Sequence, residues 1–334
     1  MSSKRHITNV PLHTKSQTSN LKSQTSNLKS QIYMKHFILT LLFAAATLCA
    51  PAQLLYKISG NGLSSPSYIV GTYHLAPASF VDSIPGIRQA MTDCQQVYGE
   101  LMMEEMFGPD SLAMMQQAMM LPDGMTLDSL LTADEMGRLN TYMKSLLGMD
   151  MTNPMIGQQM KKMTPTALST TLTMLSFMKK SGGFDMQNQF DSYFQKEAAR
   201  QGKGIGGLET MAFQVKTLLM GTKLERQKEQ LMCLVDNAAF MDEMNEGIVR
   251  AFFAQDIDAI EKAMNAKLNN SCDSRPEEEN TLIYDRNADW VTKMPALMAG
   301  KPTLFAVGAA HLPGNRGVLH LLRQAGYTVE GVVK

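Results

Sequence analysis

The strongest constraint on this fold is a local pattern that occurs twice, at opposite ends of the chain. Tyr68-Ile69-Val70 runs into Gly71-Thr72-Tyr73-His74-Leu75, and Leu304-Phe305-Ala306-Val307 runs into Gly308-Ala309-Ala310-His311-Leu312, each with a proline close behind. Short runs of β-branched, aromatic and aliphatic residues read as buried strands. Each of these closes on G-x-x-H, a turn that presents an imidazole. The 334-residue chain has six histidines. His6, His13 and His36 precede the expected start of the mature protein, so two of the other three occupy the matched positions. The pattern predicts one site assembled from both ends of the fold. His320, inside Val318-Leu319-His320-Leu321-Leu322, lacks that setting and reads as structural.

The remaining strand signals fall near the same ends. Leu54 to Ser59 and Ser67 to Gly71, joined by Gly60-Asn61-Gly62, read as a strand pair. Gln96-Val97-Tyr98-Gly99 ends at Glu100, and Gly204 to Leu208 ends at Glu209. A final βαβ-like unit runs from Thr303–Gly308 through a helix near Gly317–Ala325 to Tyr327–Val333. Residues 102–200 read as helix after helix, with Thr132-Ala133-Asp134-Glu135 as a capping box. The expected fold class is α/β (α+β): a central mixed sheet built from N- and C-terminal segments, with a large Met-rich helical insertion. More than half of the 29 methionines lie between Leu101 and Lys180. Thioethers suit an adaptable binding surface, but they equally suit the packing of a helical layer.

The N-terminal residues obey different rules. Ser16–Lys22 repeats at once as Ser23–Lys29, a polar tract with too little apolar surface to fold, so residues 1–33 read as a disordered or mistranslated leader. Met34-Lys35-His36 then opens an apolar run from Phe37 to Leu48, closed by Ala50-Pro51-Ala52. That is the form of a secretory signal peptide over 34–52, with residues 53–334 as one mature domain. The run is too short to span a membrane. Export to the periplasm or the exterior is therefore expected. Lipid attachment at Cys49 is the lesser alternative, because Leu48 stands where a small residue belongs. In an oxidising compartment one pair among Cys94, Cys233 and Cys272 can bridge; Cys233–Cys272 is the expected pair.

Lys plus Arg and Asp plus Glu balance at 31 each, which gives no reason to expect nucleic acid or an anionic membrane as partner. H-E-x-x-H, a phosphate-binding loop and a G-x-S-x-G elbow are all missing. Gly202-Lys203-Gly204-Ile205-Gly206-Gly207 lacks the helix-opening glycine of a dinucleotide site. What remains is a set of strand-end residues. His74 and His311 can bind a metal or move protons, and the strand-end carboxylates Glu100 and Glu209 can be ligands or bases. Arg286-Asn287 can hold a carbonyl or carboxylate, or simply form a salt bridge at a helix start. Asp191 is a candidate to orient a ligand from behind.

Together these segments resemble the TraB/PrgY/GumN family, which includes the Tiki metalloproteases. The residues that carry the resemblance are Gly71-Thr72-Tyr73-His74, Glu100, Gly207-Leu208-Glu209-Thr210, Arg286-Asn287 and Gly308-Ala309-Ala310-His311-Leu312 with Gly314 and Gly317. Leu322, Gly326-Tyr327 and Val329 resemble the family's ending. The resemblance spans 54–334 and implies a metal-dependent hydrolase of peptidase type, using manganese or cobalt; the mixed N/O donors also suit zinc or iron. On that basis His74, Glu100 and His311 are expected to hold a divalent metal ion. Glu209 is expected as a fourth ligand or as the base, and Arg286 and Asn287 to steady an oxyanion. The expected partner is a peptide or a small ester or amide substrate. Two alternatives stay open: a metal-free hydrolase acting on esters, with histidine as base, and a protein that binds peptides without turning them over.

Overall fold

Six strands form one sheet in the order β4-β3-β5-β2-β1-β6, in a computed structural model that describes residues 53–181 and 188–333. The leader and signal peptide expected over residues 1–52 lie outside the described residues. The strands are β1 (Leu55–Ser59), β2 (Ser67–Thr72), β3 (Gln96–Gly99), β4 (Gly204–Gly207), β5 (Thr303–Gly308) and β6 (Thr328–Gly331). The two apolar runs at the chain ends pair directly: β2 and β5 are parallel, with Tyr68 opposite Leu304 and Thr72 opposite Gly308. Both lie at the sheet centre and are covered on both faces, which is why they read as continuous rather than alternating apolar runs. β3 runs parallel to β5 and to β4.

β1 is antiparallel to β2. The Gly60-Asn61-Gly62 turn between them has positive φ at all three residues, a conformation that favours glycine and asparagine. The closing segment departs from a simple crossover. β6 does not lie beside β5; it pairs antiparallel with β1, so that β2 and β1 stand between them. The half-exposed β6 thus covers an edge that β1 would otherwise leave open.

The sheet core includes Ile69, Val70, Leu304, Phe305, Val307 and Trp290, with an aromatic group of Phe190, Phe194 and Phe252 on the adjoining helices. A second apolar cluster lies in the helical segment, where Leu127, Leu139, Met143, Leu168 and Leu172 are buried with Leu231 and Met232 from beyond β4. Met119, Met120, Met125, Met136 and Met160 pack around it. Methionine here packs the helical layer, its unbranched side chain filling irregular gaps between helices. The capping box forms as the sequence predicts: Glu135 N donates to Thr132 Oγ1 at 3.2 Å and Thr132 N donates to Glu135 Oε2 at 2.8 Å. It opens the helix Ala133–Leu147.

The Cys233–Cys272 disulfide ties the helix Leu224–Asp236 to a loop 39 residues further on. Arg226, on the same helix, holds Glu278 through two hydrogen bonds of 2.8 and 3.0 Å and donates to the Ser271 and Asp273 carbonyls. Cys94 stays unpaired and buried, and burial pushes its thiol up to about 12, so it is inert near neutral pH.

Candidate functional site

β4, β3, β5 and β2 are neighbouring parallel strands, so their carboxyl ends face the same way. The residues that follow them are, in sheet order, Glu209, Glu100, His311 and His74. Loops diverge beyond such ends and leave a crevice where ligands collect. Glycine serves this arrangement in an unexpected way. Gly71 and Gly308 do not adopt positive φ; their role is close approach. A Cβ on Gly71 would stand 3.0 Å from Ala309 Cβ and 3.1 Å from Ala309 Cα, and one on Gly308 would stand 3.1 Å from Glu100 Oε1. The missing side chains let the His311 turn pack on β2 and let Glu100 reach across β5.

Arg286 sits at the centre. It lies in the first turn of the helix Asp285–Gly300, directly after a π-helical turn at Asn280–Tyr284. Its Nε donates to Glu209 Oε1 at 2.8 Å, and its Nη2 to Glu209 Oε2 at 2.9 Å and Glu100 Oε2 at 2.6 Å. Nη1 donates to the Leu282 carbonyl at 3.0 Å and stands 3.2 Å from His311 Nε2. The guanidinium also lies over the Trp290 ring, 5.0 Å from its centroid. The sequence left a helix-start salt bridge as an equal possibility for Arg286. The structure places it in a buried ion pair with two carboxylates, facing a histidine.

The two glutamates differ. Glu209 is 1% exposed at its side chain, and each oxygen accepts twice. Oε1 takes Arg286 Nε and Trp290 Nε1 (2.8 Å), and Oε2 takes Arg286 Nη2 and Gln214 Nε2 (3.0 Å). Glu100 keeps 15% side-chain exposure. Its Oε1 accepts the Gly308 N–H at 2.8 Å, and its Oε2 is shared by Arg286 and Gln214. Burial works against its charge, yet the cations around it, His311, Arg286 and His74, hold its carboxyl down to about 2. His311 is neutral near neutral pH, so the charges that still act on Glu100 there are those of Arg286 and His74.

The histidines are not equivalent either. His311 ends a short turn, Ala309–His311, and is 5% exposed at its side chain. Asn287 Nδ2 donates to the Arg316 carbonyl at 2.9 Å, which turns Asn287 Oδ1 toward His311 Nδ1 at 2.6 Å. The proton therefore sits on Nδ1, and Nε2 presents a lone pair. Burial, reinforced by Arg286 and His74 and opposed by Glu100, pushes the His311 pKa down to about 4. His74 is 74% exposed at its side chain, and its Nδ1 stands 3.1 Å from Asp191 Oδ2. The Asp191 charge raises the His74 pKa above its ordinary value. Thr72 Oγ1 holds the other Asp191 oxygen.

The strand-end donors suit a divalent cation only in part. Among the described residues, no group of three or more His, Cys, Asp or Glu is drawn together as it stands. Glu209 does not fit as a ligand, because four donors occupy its oxygens. The other donors fit in type, although Glu100 already accepts from Gly308, Arg286 and Gln214, so a cation there would displace at least one of them. His311 has its Nδ1 held by an oxygen, the usual arrangement behind a metal-bound histidine, while its Nε2 faces Arg286 Nη1 at 3.2 Å, a donor that a cation would displace. Glu100 Oε1 lies 4.0 Å from that Nε2. Asp191 Oδ2 is buried, and the group that faces it is His74 Nδ1 at 3.1 Å. The exposed His74 imidazole is the member with room to turn.

All six residues singled out from the sequence, together with Asp191, thus lie along the four strand ends or on the elements packed against them. Gln214 and Trp290 were missed as site members. Gln214 is a polar residue in an apolar helical stretch just after Glu209, and Trp290 is the only tryptophan in the chain. Both were visible signals without a partner to give them meaning.

Comparison with known proteins covers the same stretch of chain. The TraB/PrgY/gumN family matches residues 54–331. Among curated proteins, the chain is 24% identical over 305 residues to "Metalloprotease TIKI1" of Danio rerio, covering 79% of this chain and 60% of that protein. It is 26% identical over 308 residues to "Metalloprotease TIKI2" of the same fish, covering 79% and 58%. With "Metalloprotease TIKI homolog" of Nematostella vectensis it shares 24% over 313 residues, covering 80% and 65%. The chain therefore spans less than two thirds of these relatives' length. No solved structure matches it. With the family matched across the whole sheet and every strand-end residue, this chain belongs to the TraB/PrgY/gumN family.

Proposed function

We propose that this protein is an exported, metal-dependent hydrolase that cleaves peptide bonds at the carboxyl ends of β3, β5 and β2. The observation that carries this reading is the His311 arrangement: Nδ1 fixed by Asn287, Nε2 turned toward Arg286 and Glu100, and the ring kept neutral by burial. His74, Glu100 and His311 are the residues that would hold the cation, with manganese or cobalt the first candidates. When bound, such an ion polarises a carbonyl and lowers the pKa of a water molecule. Around it, Asn287 keeps the proton on His311 Nδ1, and Asp191 turns the His74 Nδ1 edge away from the gap. Among the described residues Arg286 is the cation buried beside His311, and its Nη1, which faces His311 Nε2, is the donor that could meet negative charge developing on a carbonyl oxygen. Glu209 is better read as the anchor of Arg286 than as a base, since both of its oxygens are taken. The names of the relatives support peptide hydrolysis. The disulfide and the apolar segment at 37–48 support export.

The test is metal content by mass spectrometry on the purified protein, wild type beside His74→Ala/His311→Ala, followed by peptide-library cleavage. About one equivalent of divalent metal in wild type and none in the double variant is the expected result. No metal in either after loading with manganese, cobalt and zinc would overturn the reading. The spacing of the donors favours one competitor, a metal-free hydrolase, with the His311 Nε2 lone pair as base. Hydrolysis that survives exhaustive chelation would select it.

A further inference from the structure

Between the sheet and the helical layer, beside His74, lies a cavity of about 380 Å³ that none of the strand-end residues lines. Tyr73 and Leu75, the residues on either side of His74, form one wall. Tyr142, Phe177 and Val249, from three different helices, form the others. Tyr73 packs edge-on against Phe177, with ring centroids 6.4 Å apart, and also touches Phe252 of the sheet core. The cavity is thus walled by rings that the core holds in place.

Its charged lining residues neutralise one another. Lys180 pairs with Asp242 at 3.0 Å and with Glu246 at 2.9 Å, and Arg250 stands 3.5 Å from Glu246. Ser176 Oγ donates to Asp242 at 3.2 Å. Two cations facing two anions give no net reward to a charged guest, and their pairing leaves the aromatic and aliphatic walls as the surface a ligand meets. The volume lies in the range of small-molecule pockets and accommodates a single large side chain.

We propose that this cavity is a specificity subsite that receives a large apolar side chain, aromatic by preference, from a peptide substrate cleaved at the neighbouring strand ends. The proposal rests on the hydrolase reading for its substrate and on the cavity alone for its selectivity. Its wall of Tyr73 and Leu75, the chain neighbours of His74, ties the recognised residue to the part of the substrate close to the cleaved bond.

Two measurements on the full chain test it. The first is calorimetric binding of N-acetyl-phenylalaninamide against N-acetyl-alaninamide. The second is kcat/KM for peptide pairs that differ only in Phe against Ala. Each is made on wild type and on two cavity-filling variants, Val249→Phe and Thr173→Phe, with melting temperature as the folding control. Thr173 lines the same space on another helix, so each variant checks the other. Saturable binding of the Phe amide is expected, weakened about tenfold or more in both variants. The Phe-to-Ala ratio of kcat/KM should fall by at least about tenfold, as hydrophobic-pocket discrimination predicts. Equal binding of the two amides, or a ratio unchanged in both folded variants, overturns the subsite. Selective binding that filling abolishes, with no peptide cleaved, keeps the subsite and removes the hydrolase reading. Cleavage indifferent to filling does the reverse.

Discussion

Removing the Arg286 guanidinium should expose the energetic structure of the site. In Arg286→Met the two hydrogen bonds that Arg286 gives Glu209 vanish, and Glu209 keeps only Trp290 Nε1 and Gln214 Nε2. The Glu209 side chain is 1% exposed, so water cannot replace what is lost. Hydrogen bonds to a charged group contribute about 1.5–3 kcal/mol each, and stranding one member of a buried ion pair costs about 3–5 kcal/mol. We expect a loss of about 3–5 kcal/mol in urea unfolding at pH 7 with the disulfide intact, or roughly 6–20 °C in Tm for a domain of this size. The loss comes mainly from the stranded carboxylate, so removing its charge should return part of it. Arg286→Met/Glu209→Gln is expected to be more stable than Arg286→Met, with a coupling energy of about 2 kcal/mol in the double-mutant cycle. Additive effects, or a loss below about 1 kcal/mol for Arg286→Met, would refute the argument that Arg286 neutralises a buried Glu209.

Three other outcomes follow from separate parts of the structure. Asn287→Ala removes the acceptor that fixes the His311 tautomer and should weaken the proposed metal binding by about 10–100-fold, measured by competition with a chelating dye; an unchanged affinity would exclude Asn287 from that role. Cys233→Ser/Cys272→Ser opens a cross-link of sequence separation 39 and should cost up to about 4 kcal/mol in denaturant unfolding. In the Arg226–Glu278 pair, burial raises the Glu278 carboxyl, but Arg226 outweighs it and leaves the pKa below the ordinary 4.5. The stability this pair gives is therefore fully present above that ordinary value and lost as pH falls below it. The Tm of wild type should drop more steeply between pH 5 and acid than that of Glu278→Gln, and parallel curves would count against the linkage.

Much of the sheet was legible from local pattern. Strand signals at 54–59, 67–71, 96–99, 204–208 and 303–308 each match an observed strand within a residue or so, because the central strands are buried on both faces and leave unbroken apolar runs. The Thr132–Glu135 box was equally legible, since a capping box is complete within four residues. The position of β6 was not. A strand after a helix after β5 could have paired with β5, but β3 and β2 already fill both of its edges. That competition is non-local and leaves no mark in the last thirty residues.

The site divides the same way. Chain chemistry set which residues stand at the strand ends: two histidines after G-x-x, two glutamates after short strands, and Arg286-Asn287 just ahead of the last ones. Packing set what each of them is. Identical spacing placed His311 in a buried turn with its Nδ1 on Asn287, and left His74 open to solvent beside Asp191. Two similar strand-end glutamates became a closed anchor for Arg286 and a slightly exposed carboxylate beside His311. The reason is physical: side-chain type is a local property, whereas exposure, tautomer and hydrogen-bond occupancy depend on neighbours up to 208 residues away, the separation across which Gly308 N–H meets Glu100.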